Sequence, residues 1–318
     1  MRAPDSILVL GGINVDEIVR LDRRPDDDAT TLIVQRDTAF GGHGANCAVA
    51  VARLGATVAL AGAVGADDAG EACLKALTAE GVDIRQIACL TGEQTGRVVI
   101  PQAPDFRFMM MERGANDVVA PGWVETLRWD DFGTIVFFDP PRDVLLAGLA
   151  HRRDGQRLVW SPGGIWARRR ARAPALSSFD LVVFNSAEAR QWFGSDADTH
   201  NFDPFNGETD PQRPAEIVVT RGADGAHGWS GNGHWHIPAV PAQPIDPTGA
   251  GDAFVAALVV AERLRVGGEP ATLAERLRFA NLFAALTVEH VGAQSAPSLA
   301  GFLAEIGRLG ATPPWSFA

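Results

Sequence analysis

The chain has 318 residues, a formal net charge of −11, and 46% hydrophobic against 21% charged residues. This length and composition describe a chain that buries a full hydrophobic core, and they exclude a disordered protein. The negative charge argues against nucleic acid as a partner, because neutralising phosphates requires a basic surface, so we expect a small-molecule partner. Cys47, Cys73 and Cys89 lack any C-x-x-C spacing, which indicates neither a disulfide framework nor a zinc site and fits a reducing cytoplasm.

Short apolar, β-branched runs alternate along the chain with alanine- and leucine-rich amphipathic segments. This alternation predicts an α/β fold in which helices cover both faces of a mostly parallel sheet. The first apolar run directly follows the N-terminus and is too short for a membrane span. Strands are predicted at 7–10, 58–61, 135–138, 158–160, 181–184 and 217–219. Helices are predicted at 45–54, 69–80, 143–152, 187–193, 250–265 and 272–290.

Two stretches depart from this alternation. Residues 14–40 and 92–112 contain strand-like runs without a long helix between them and their neighbours, which predicts a small β-sheet that projects from the main body. Residues 195–214 are rich in Asp, Asn, Pro and Gly, which predicts a surface loop long enough to be functional. We expect residues 1–318 to form one domain that carries this small sheet.

The strongest chemical signal is the string Asp246-Pro-Thr248-Gly249-Ala-Gly251-Asp252-Ala-Phe, which runs into an apolar helix. Glycines permit a tight turn, and a helix start directs several unpaired N–H groups at one point. A phosphoryl group there would gain from the amides and from the helix dipole. Asp252 in the first turn can accept a proton from an attacking hydroxyl. The alternative, an ordinary glycine-rich turn with an acidic cap, is less favoured because Asp246 and Thr248 precede it.

A second glycine-rich segment runs from Gly41 to Gly55 and reads GGHGANCAVAVARLG. The paired glycines allow the backbone to approach a ligand closely, and the alanine-rich helix that follows can pack tightly on a sheet. Asn46 could then hydrogen-bond a sugar hydroxyl. As a glycine-rich loop alone, this segment is weak evidence.

Together these motifs, in this order and separation, resemble the ribokinase-like family of sugar and nucleoside kinases. The resemblance covers nearly the whole chain and includes Gly11 to Asp16, similar to the family's first strand ending in a substrate-binding aspartate. It continues through Arg113 to Asn116, Asn185 to Glu188, Thr220 to Gly225 and Phe279 to Asn281. It implies a three-layer αβα fold with a small β-sheet lid at about 14–40 and 92–112, and the use of ATP and Mg²⁺.

Residue roles follow from the resemblance alone. It implies that Asp252 is the base and that Gly249, Ala250 and Gly251 supply the anion hole. The substrate-facing positions would be Asp16, Gly42, Asn46 and Asp139, with His43 at a position where ribokinases often have Lys and where it could tune substrate choice. The nucleotide-facing positions would be Asn185 and Glu188, which position metal-bound phosphates, and Thr220, Gly222, Gly225 and Asn281.

The resemblance also implies a monovalent-cation site and a dimer. Asp246 and Thr248 match cation ligands on one side of a K⁺ site, and Thr287, His290, Gly292 and Ala296 would form the other, although Ala296 lacks the hydroxyl that the family often has there. In several relatives the lid pairs with a second subunit, so we expect a homodimer through 14–40 and 92–112.

Other nucleotide-dependent functions are disfavoured by what the sequence lacks. Neither glycine motif has the third glycine of a dinucleotide-binding turn, because Cys47 and Phe254 stand there. The single lysine, Lys75, leaves no P-loop. A non-catalytic sugar- or nucleotide-binding regulator is disfavoured by the intact Asp252. A ribose-type sugar is the first expectation and a nucleoside the second, while a sugar phosphate would require cations such as Arg97, Arg107 and Arg113.

Three further clusters have ordinary structural interpretations. The run Arg168-Arg169-Arg170 with Arg172 is expected to be a solvated helix face rather than an anion site. His234 and His236, near His227, are expected on a surface hairpin rather than at a metal. The run Met109 to Met111 is expected to pack within the small sheet, with a ligand-facing or dimer surface as the alternative.

Overall fold

The structure is a computed structural model and describes residues 5–28, 30–119, 121–169, 172–194, 202–204, 214–308 and 315–317. Its strands in chain order are β1 (Ile7–Leu10), β2 (Asn14–Leu21), β3 (Ile33–Gly41), β4 (Val58–Gly65), β5 (Asp83–Leu90), β6 (Gly96–Ala103), β7 (Phe106–Arg107), β8 (Met110–Glu112), β9 (Thr134–Phe138), β10 (Arg157–Ser161), β11 (Leu181–Asn185), β12 (Glu216–Thr220), β13 (Ala226–Ser230), β14 (Gly233–Ile237), β15 (Leu264–Val266), β16 (Glu269–Pro270) and β17 (Trp315–Phe317). Its helices are α1 (His43–Arg53), α2 (Asp68–Ala79), α3 (Pro121–Val124), α4 (Arg142–Ala150), α5 (Gly163–Arg168), α6 (Ser186–Phe193), α7 (Ala250–Val260), α8 (Leu273–Val288) and α9 (Leu299–Arg308).

The large sheet has the strand order β14-β13-β12-β11-β10-β9-β1-β4-β5. All neighbours from β12 to β5 pair in parallel, whereas the β12–β13 and β13–β14 pairings at one edge are antiparallel. Parallel strands leave their carboxyl ends on one edge, where loops can gather functional side chains. The mostly parallel central sheet that the sequence predicts is confirmed.

Apolar side chains on both faces of this sheet explain its continuous hydrophobic strands. Ile7 and Val9 pack into a core with α1, α7 and α8, whereas Leu8 and Leu10 pack into a second core with residues of α4 and α6. Alternate residues of a strand point to opposite faces, so a strand covered on both sides must be apolar throughout. The result is a three-layer αβα arrangement.

A separate small sheet has the order β3-β2-β6-β7, with β8 also pairing with β6. Most of its pairings are antiparallel, and β2 and β6 pair in parallel. This sheet uses 14–41 and 96–112, the two stretches in which the sequence predicts it. A third, three-stranded sheet joins β15, β16 and β17 and was not predicted.

The first strand, predicted over 7–10, is confirmed at Ile7–Leu10. The resemblance to a first strand that ends in Asp16 is wrong, because Gly11 and Gly12 follow the strand and Asp16 lies within β2 of the small sheet. The helix predicted over 250–265 ends at Val260. Beyond a short 3₁₀ turn, alternating apolar residues form β15, and the Gly267-Gly268 turn leads to its partner β16.

One further prediction is wrong, and another lies mostly outside the described residues. Met109, Met110 and Met111 do not pack inside the small sheet, since they are 64%, 47% and 46% exposed. The loop predicted at 195–214 lies, apart from residues 202–204 and 214, outside the described residues. Across the described ranges, every helix is too short or too polar to cross a membrane.

Candidate active site

Asp252 lies in the first turn of α7, behind a tight glycine turn. Gly249 caps the helix with φ at 79°, and a Cβ there would lie 2.0 Å from the carbonyl oxygen of Ala293. Only glycine fits this combination of left-handed backbone and close approach. Gly251 is exposed, with open space where a Cβ would project. The amides of a first helical turn have no intrahelical acceptors. Here Ala250 N has a long hydrogen bond of 3.3 Å to Pro247 O, and the helix start can direct its remaining first-turn N–H groups at an anion.

The glycine-rich start of α1 delivers two side chains to Asp252. His43 Nδ1 lies 2.8 Å from Asp252 Oδ1, and Asn46 Nδ2 donates to Asp252 Oδ2 over 2.8 Å. The Asp252 carboxylate raises the pKa of His43, Asp139 acts in the same direction, and burial opposes both. The imidazole is therefore protonated at neutral pH and pairs with the carboxylate. Gly42, with φ at 96°, permits this approach, since its Cβ would lie 2.4 Å from Gly12 O.

Asp139 follows β9 and reaches the same cluster from the other side. Its backbone has φ at 46°, and its Oδ2 lies 3.8 Å from His43 Nε2. Burial raises the pKa of the Asp139 carboxyl, with Asp252 acting the same way against the nearby cations. Asp139 Oδ1 and Asn46 Oδ1 are both buried without a hydrogen-bond partner among the described residues. Buried oxygens without a hydrogen-bond partner, such as these two, are typical of a site that receives hydroxyl donors.

Asp16 brings the small sheet into this cluster. Its carboxyl is buried, and burial raises its pKa to about 6, with Asp252 adding to the effect and His43 and Arg107 opposing it. A Cβ on Gly41 would lie 2.3 Å from Asp16 Oδ2, so glycine is required where β3 passes this carboxyl.

Arg107 of β7 connects the small sheet to the loop before α7. Its Nη2 donates to Thr248 Oγ1 over 2.6 Å, and its Nη1 lies 3.6 Å from Asp246 Oδ1. Thr248 in turn donates to Asp246 Oδ1 through its hydroxyl at 2.6 Å and its amide at 3.0 Å. The small sheet thus contacts the loop that forms the glycine turn.

The predicted nucleotide residues lie at the ends of β11 and β12. Asn185 caps α6 with a reciprocal capping box, in which Glu188 accepts from the Asn185 backbone and Asn185 Oδ1 accepts from Glu188 N. Burial raises the pKa of Glu188 to about 7, with Asp139 acting in the same direction against the Asn185 hydrogen bonds. Thr220 is the register partner of Asn185, so the two share one edge of the sheet.

Gly222, Gly225 and Asn281 shape the neighbouring wall. The glycines have φ at 55° and 90°, and a Cβ on Gly225 would lie 2.1 Å from Ile237 O. Asn281 is buried and its Nδ2 donates to Ile237 O and Pro238 O over 2.9 and 3.1 Å. Its amide group therefore fixes the backbone after β14.

The residues assigned to a K⁺ site lie together, but several already have other partners. Asp246 Oδ2 accepts from Gly292 N over 3.1 Å. Burial opposes ionisation of Asp246, but the hydrogen bonds from Thr248 and Gly292 outweigh it and lower its pKa. The Thr287 hydroxyl donates to Phe283 O, and His290 Nδ1 contacts Leu286 O.

The backbone oxygens of this loop are partly occupied as well. Thr287 O accepts from Ser295 Oγ over 3.0 Å, and Ala296 O accepts from Arg53 Nη1 over 2.7 Å. The described residues contain no cluster of at least three His, Cys, Asp or Glu that could hold a metal.

A family model described as pfkB family carbohydrate kinase matches residues 5–299. The chain belongs to this family. It is therefore an ATP-dependent phosphotransferase of the carbohydrate-kinase type, acting on a sugar or nucleoside hydroxyl. The resemblance to ribokinase-like kinases that the motifs indicate is confirmed.

Individual relatives of this carbohydrate-kinase family match along most of their lengths. Ribokinase of Bacillus subtilis is 30% identical over 91% of this chain and 94% of that protein. The ATP-dependent ribose-1-phosphate kinase of Halopiger xanaduensis is 28% identical over 94% of this chain and 98% of that protein. Ribokinase of Arabidopsis thaliana, solved with ribose and ATP, has a TM-score of 0.81 at 26% identity and covers 96% of this chain and 98% of that one.

Within this kinase fold, sequence reasoning missed three contributors. Asn116 accepts from Ile13 N and donates to Asn14 Oδ1, so it fixes the turn that leads into β2. Arg113 donates to Asp139 O over 2.9 Å. Arg107 was considered only as a possible sugar-phosphate contact, whereas it binds Thr248. The motif from Arg113 to Asn116 was the available signal for the first two, and no local pattern marks Arg107.

His234 and His236 are exposed on the edge hairpin, as expected, whereas His227 on the paired strand is buried. His227 and His234 lie on paired strands β13 and β14, with His227 Nδ1 3.0 Å from His234 Nε2. His236 stacks on His227 at a centroid distance of 4.4 Å. The described part of this hairpin supplies no metal-ligand set.

Proposed function

We propose that this chain transfers the γ-phosphoryl group of ATP to a hydroxyl of a ribose-type sugar, with Asp252 as the general base. One observation supports this most strongly. The Asp252 carboxylate is buried at the N-terminus of α7 and has hydrogen-bond contacts with His43 and Asn46. The proposed base, Asp252, directly follows the proposed anion-binding turn, Gly249-Ala250-Gly251, in the sequence.

Asp252 can receive the proton of the attacking hydroxyl without giving up its contacts. An ionised carboxylate has about four acceptor positions, and His43 and Asn46 use one on each oxygen. The remaining positions can accept the acceptor hydroxyl as its oxygen attacks the γ-phosphorus. His43 and Asn46 keep the carboxylate oriented during this step, which matters because phosphoryl transfer depends mainly on positioning.

The turn Gly249-Ala250-Gly251 supports stabilisation of the transferring group. Its amides and the dipole of α7 favour the negative charge that spreads over the phosphoryl oxygens in the transition state. The φ of 79° at Gly249 and the open space at Gly251 suit a backbone that a ligand approaches closely. These residues therefore take the role of an anion hole.

The nucleotide would lie across the ends of β11 and β12. Asn185 and Glu188 would face the phosphates, and Thr220, Gly222 and Gly225 the nucleoside, while Asn281 holds the wall behind it. Mg²⁺ usually keeps several waters and binds through one or two carboxylates together with the phosphates. Glu188 suits this use. Burial disfavours its ionised carboxylate, and a bound Mg²⁺ would stabilise that ionised form.

Substrate hydroxyls would contact Asp16, Asn46 and Asp139, with the backbone of Gly42 close by. Each of these three side chains is buried or nearly so, and Asn46 and Asp139 each carry a buried oxygen without a described partner. The ribokinases among the relatives, one of them solved with ribose and ATP, support a ribose-type acceptor. His43 would then contact the sugar between Asp252 and Asp139.

We infer that K⁺ binds beside Asp246, on that side of the loop, and activates the enzyme. The carboxylate there carries a negative charge, while the backbone oxygens of Thr287 and Ala296 already accept hydrogen bonds. Measuring turnover in KCl against choline chloride tests this. A K⁺-dependent rise that Asp246→Asn removes would support the site, and equal rates in both salts would contradict it.

We also infer a homodimer through the small sheet. Leu32, Val34 and Met109 are each more than 60% exposed on it, and monomeric proteins rarely leave such clusters uncovered. Light scattering at micromolar concentration should give twice the mass of 33.8 kDa. A monomeric mass would contradict the dimer, and Val34→Asp should convert dimer to monomer.

The reaction itself is tested by ADP release with ATP and Mg²⁺ against ribose, fructose, fructose phosphates, 2-keto-3-deoxygluconate and common nucleosides. Asp252→Asn should lower kcat by roughly 10³-fold while changing ATP affinity only slightly. Asp68→Asn is the matched control, because Asp68 also lies in a first helical turn but is exposed. Near-normal turnover of Asp252→Asn would remove Asp252 as the base, and a nucleoside as the best acceptor would replace the ribose-type assignment.

A further inference from the structure

A cavity of about 160 Å³ adjoins the candidate active site. It lies at the ends of β9 and β10, and its apolar lining includes Pro140 and Trp166, whose Nε1 donates to Pro140 O over 3.1 Å. Four arginines line the rest, namely Arg113, Arg142, Arg169 and Arg172. Four guanidinium groups around one cavity contrast with a chain whose net charge is −11.

The carboxylates in the same lining do not balance these cations. Asp117 and Asp139 are the two acidic residues that line the cavity, against four arginines. Arg113 already pairs with Asp117, with Nε 2.5 Å from Oδ1, and contacts Asp139 only through its backbone oxygen. Arg142 Nη1 likewise lies 3.7 Å from Asp143 Oδ1. Arg169 and Arg172 remain without a carboxylate partner among the described residues, and two neighbouring cations of this kind favour an anion.

Two of the arginines are available for such an anion. Arg169 and Arg172 are exposed, and neither forms an ion pair within the part of the chain that the structure describes. Each of these two residues is anchored through its own backbone, because Arg169 N donates to Trp166 O over 3.0 Å and Arg142 Nε donates to Arg172 O over 3.0 Å.

Asp139 links this cavity to the reacting centre. It lines the cavity, and its Oδ2 lies 3.8 Å from His43 Nε2, while the other ring nitrogen of His43 lies 2.8 Å from Asp252. One imidazole ring thus separates the carboxylate at the cavity from the proposed base. A sugar whose reacting hydroxyl meets Asp252 can extend a substituent at its far end past Asp139 into the arginine-lined cavity.

We propose that this cavity binds an anionic substituent, a phosphate ester or a carboxylate, carried by the acceptor sugar. Guanidinium groups recognise both anions through paired N–H donors, and the apolar floor of Pro140 and Trp166 accommodates the linking carbons. The proposal rests on the proposed function. It narrows the acceptor from sugars in general to sugars that carry an anionic group. Arg169 and Arg172, which the sequence predicts on a solvated helix face, then have a binding role.

The experiment compares neutral acceptors with anionic ones, using the whole 318-residue chain as the enzyme. The value of kcat/KM is measured for ribose against ribose 1-phosphate, for fructose against fructose 1-phosphate, and for fructose against 2-keto-3-deoxygluconate. We expect the anionic member to exceed its neutral partner by roughly tenfold or more in at least one pair. The phosphate pairs and the carboxylate pair distinguish the two anions.

The double variant Arg169→Gln with Arg172→Gln then tests the location. It should reduce the anionic-to-neutral ratio of kcat/KM to near one, through a rise in KM for the anionic acceptor. Arg85→Gln with Arg308→Gln removes the same charge from exposed sites elsewhere and should keep the wild-type ratio. Thermal melting of both double variants establishes that they are folded.

Several results would overturn the inference while leaving the kinase intact. Equal or better use of neutral acceptors by the wild type would do so, as would a preference for anions that persists in the Arg169 and Arg172 variant. A rise in KM confined to ATP would assign these arginines to the nucleotide instead. Absence of phosphoryl transfer to every acceptor would instead count against the proposed function.

Discussion

The two main sheets of this kinase differ in what covers them. Every residue of β1 and β4 in the large sheet is buried, whereas β8 of the small sheet is exposed throughout and β3 is mostly so. The large sheet therefore carries most of the hydrophobic stabilisation. The small sheet has fewer buried contacts and can rearrange at lower cost.

The site draws on both sheets in different ways. Asp139 and Asn185 end strands of the large sheet, and Asp252 starts a helix packed on it, so their positions are fixed by the core. Asp16 and Arg107 come from the small sheet. The proposed reacting groups thus belong to the part that the core fixes, whereas the small sheet contributes Asp16 as a proposed substrate contact and the link of Arg107 to the loop at Thr248.

Among the changes that separate the two sheets, the largest effect is expected when the glycine turn before α7 is altered. Gly249→Ala places a methyl group against Ala293 O and requires an L-residue at φ 79°, so the turn must shift. We expect a loss of roughly a hundredfold in kcat/KM and of about 1–3 kcal/mol in unfolding free energy. Gly267→Ala, which also has positive φ but open space around its Cβ, is the control for backbone strain alone.

A smaller effect is expected from the substrate-facing part of the small sheet. Asp16→Asn replaces a buried charged acceptor with a neutral amide, so we expect the KM for the sugar to rise about tenfold with a lesser change in kcat. Steady-state kinetics with the sugar varied measures this. An unchanged KM would show that Asp16 does not contact the substrate.

A still smaller effect is expected at the link between the sheets. Arg107→Gln removes the contacts with Thr248 and Asp246, and we expect kcat/KM to fall severalfold, by about 1 kcal/mol of transition-state stabilisation. The matched control is Arg97→Gln, on the same sheet and 48% exposed at the side chain. Equal kinetics for the two variants would argue against a functional link.

The dependence of stability on pH should also differ between wild type and Asp16→Asn. Because burial raises the pKa of Asp16 to about 6, the folded state binds more protons than the unfolded state between pH 4 and 6. The stability that this group contributes is therefore lost as the pH rises through that window. The difference in unfolding free energy between the two proteins, measured from pH 4 to 8, should shift in favour of Asp16→Asn by up to about 3 kcal/mol, and a difference that does not change with pH would contradict the raised pKa.

The fold could be predicted where one local pattern decides the structure. Strands such as β1, β9 and β11 are buried on both faces and read as continuous apolar runs, and the turn before α7 carries its own glycines. The end of α7 could not be predicted, because Val260 and Leu264 are equally apolar and the Gly267-Gly268 hairpin decides the change.

The contacts of the site depend on the tertiary fold and could be predicted only in part. The motifs indicated both His43 and Asp252, but their hydrogen bond joins residues 209 positions apart, and nothing local specifies it. The contact of Arg107 with Thr248 has no sequence signal at all. Met109 to Met111 were misassigned because hydrophobic residues that face solvent read as core.

The defining reaction of this chain is transfer of the γ-phosphoryl group of ATP to an acceptor hydroxyl. Phosphorus NMR of the purified chain with ATP, Mg²⁺ and either ribose or ribose 1-phosphate tests it directly. We predict that the γ-phosphate signal disappears only when an acceptor is present, with ADP and a new phosphomonoester appearing in equal amounts. Release of inorganic phosphate alone, or an unchanged γ-signal with ATP bound and every acceptor supplied, would contradict the account.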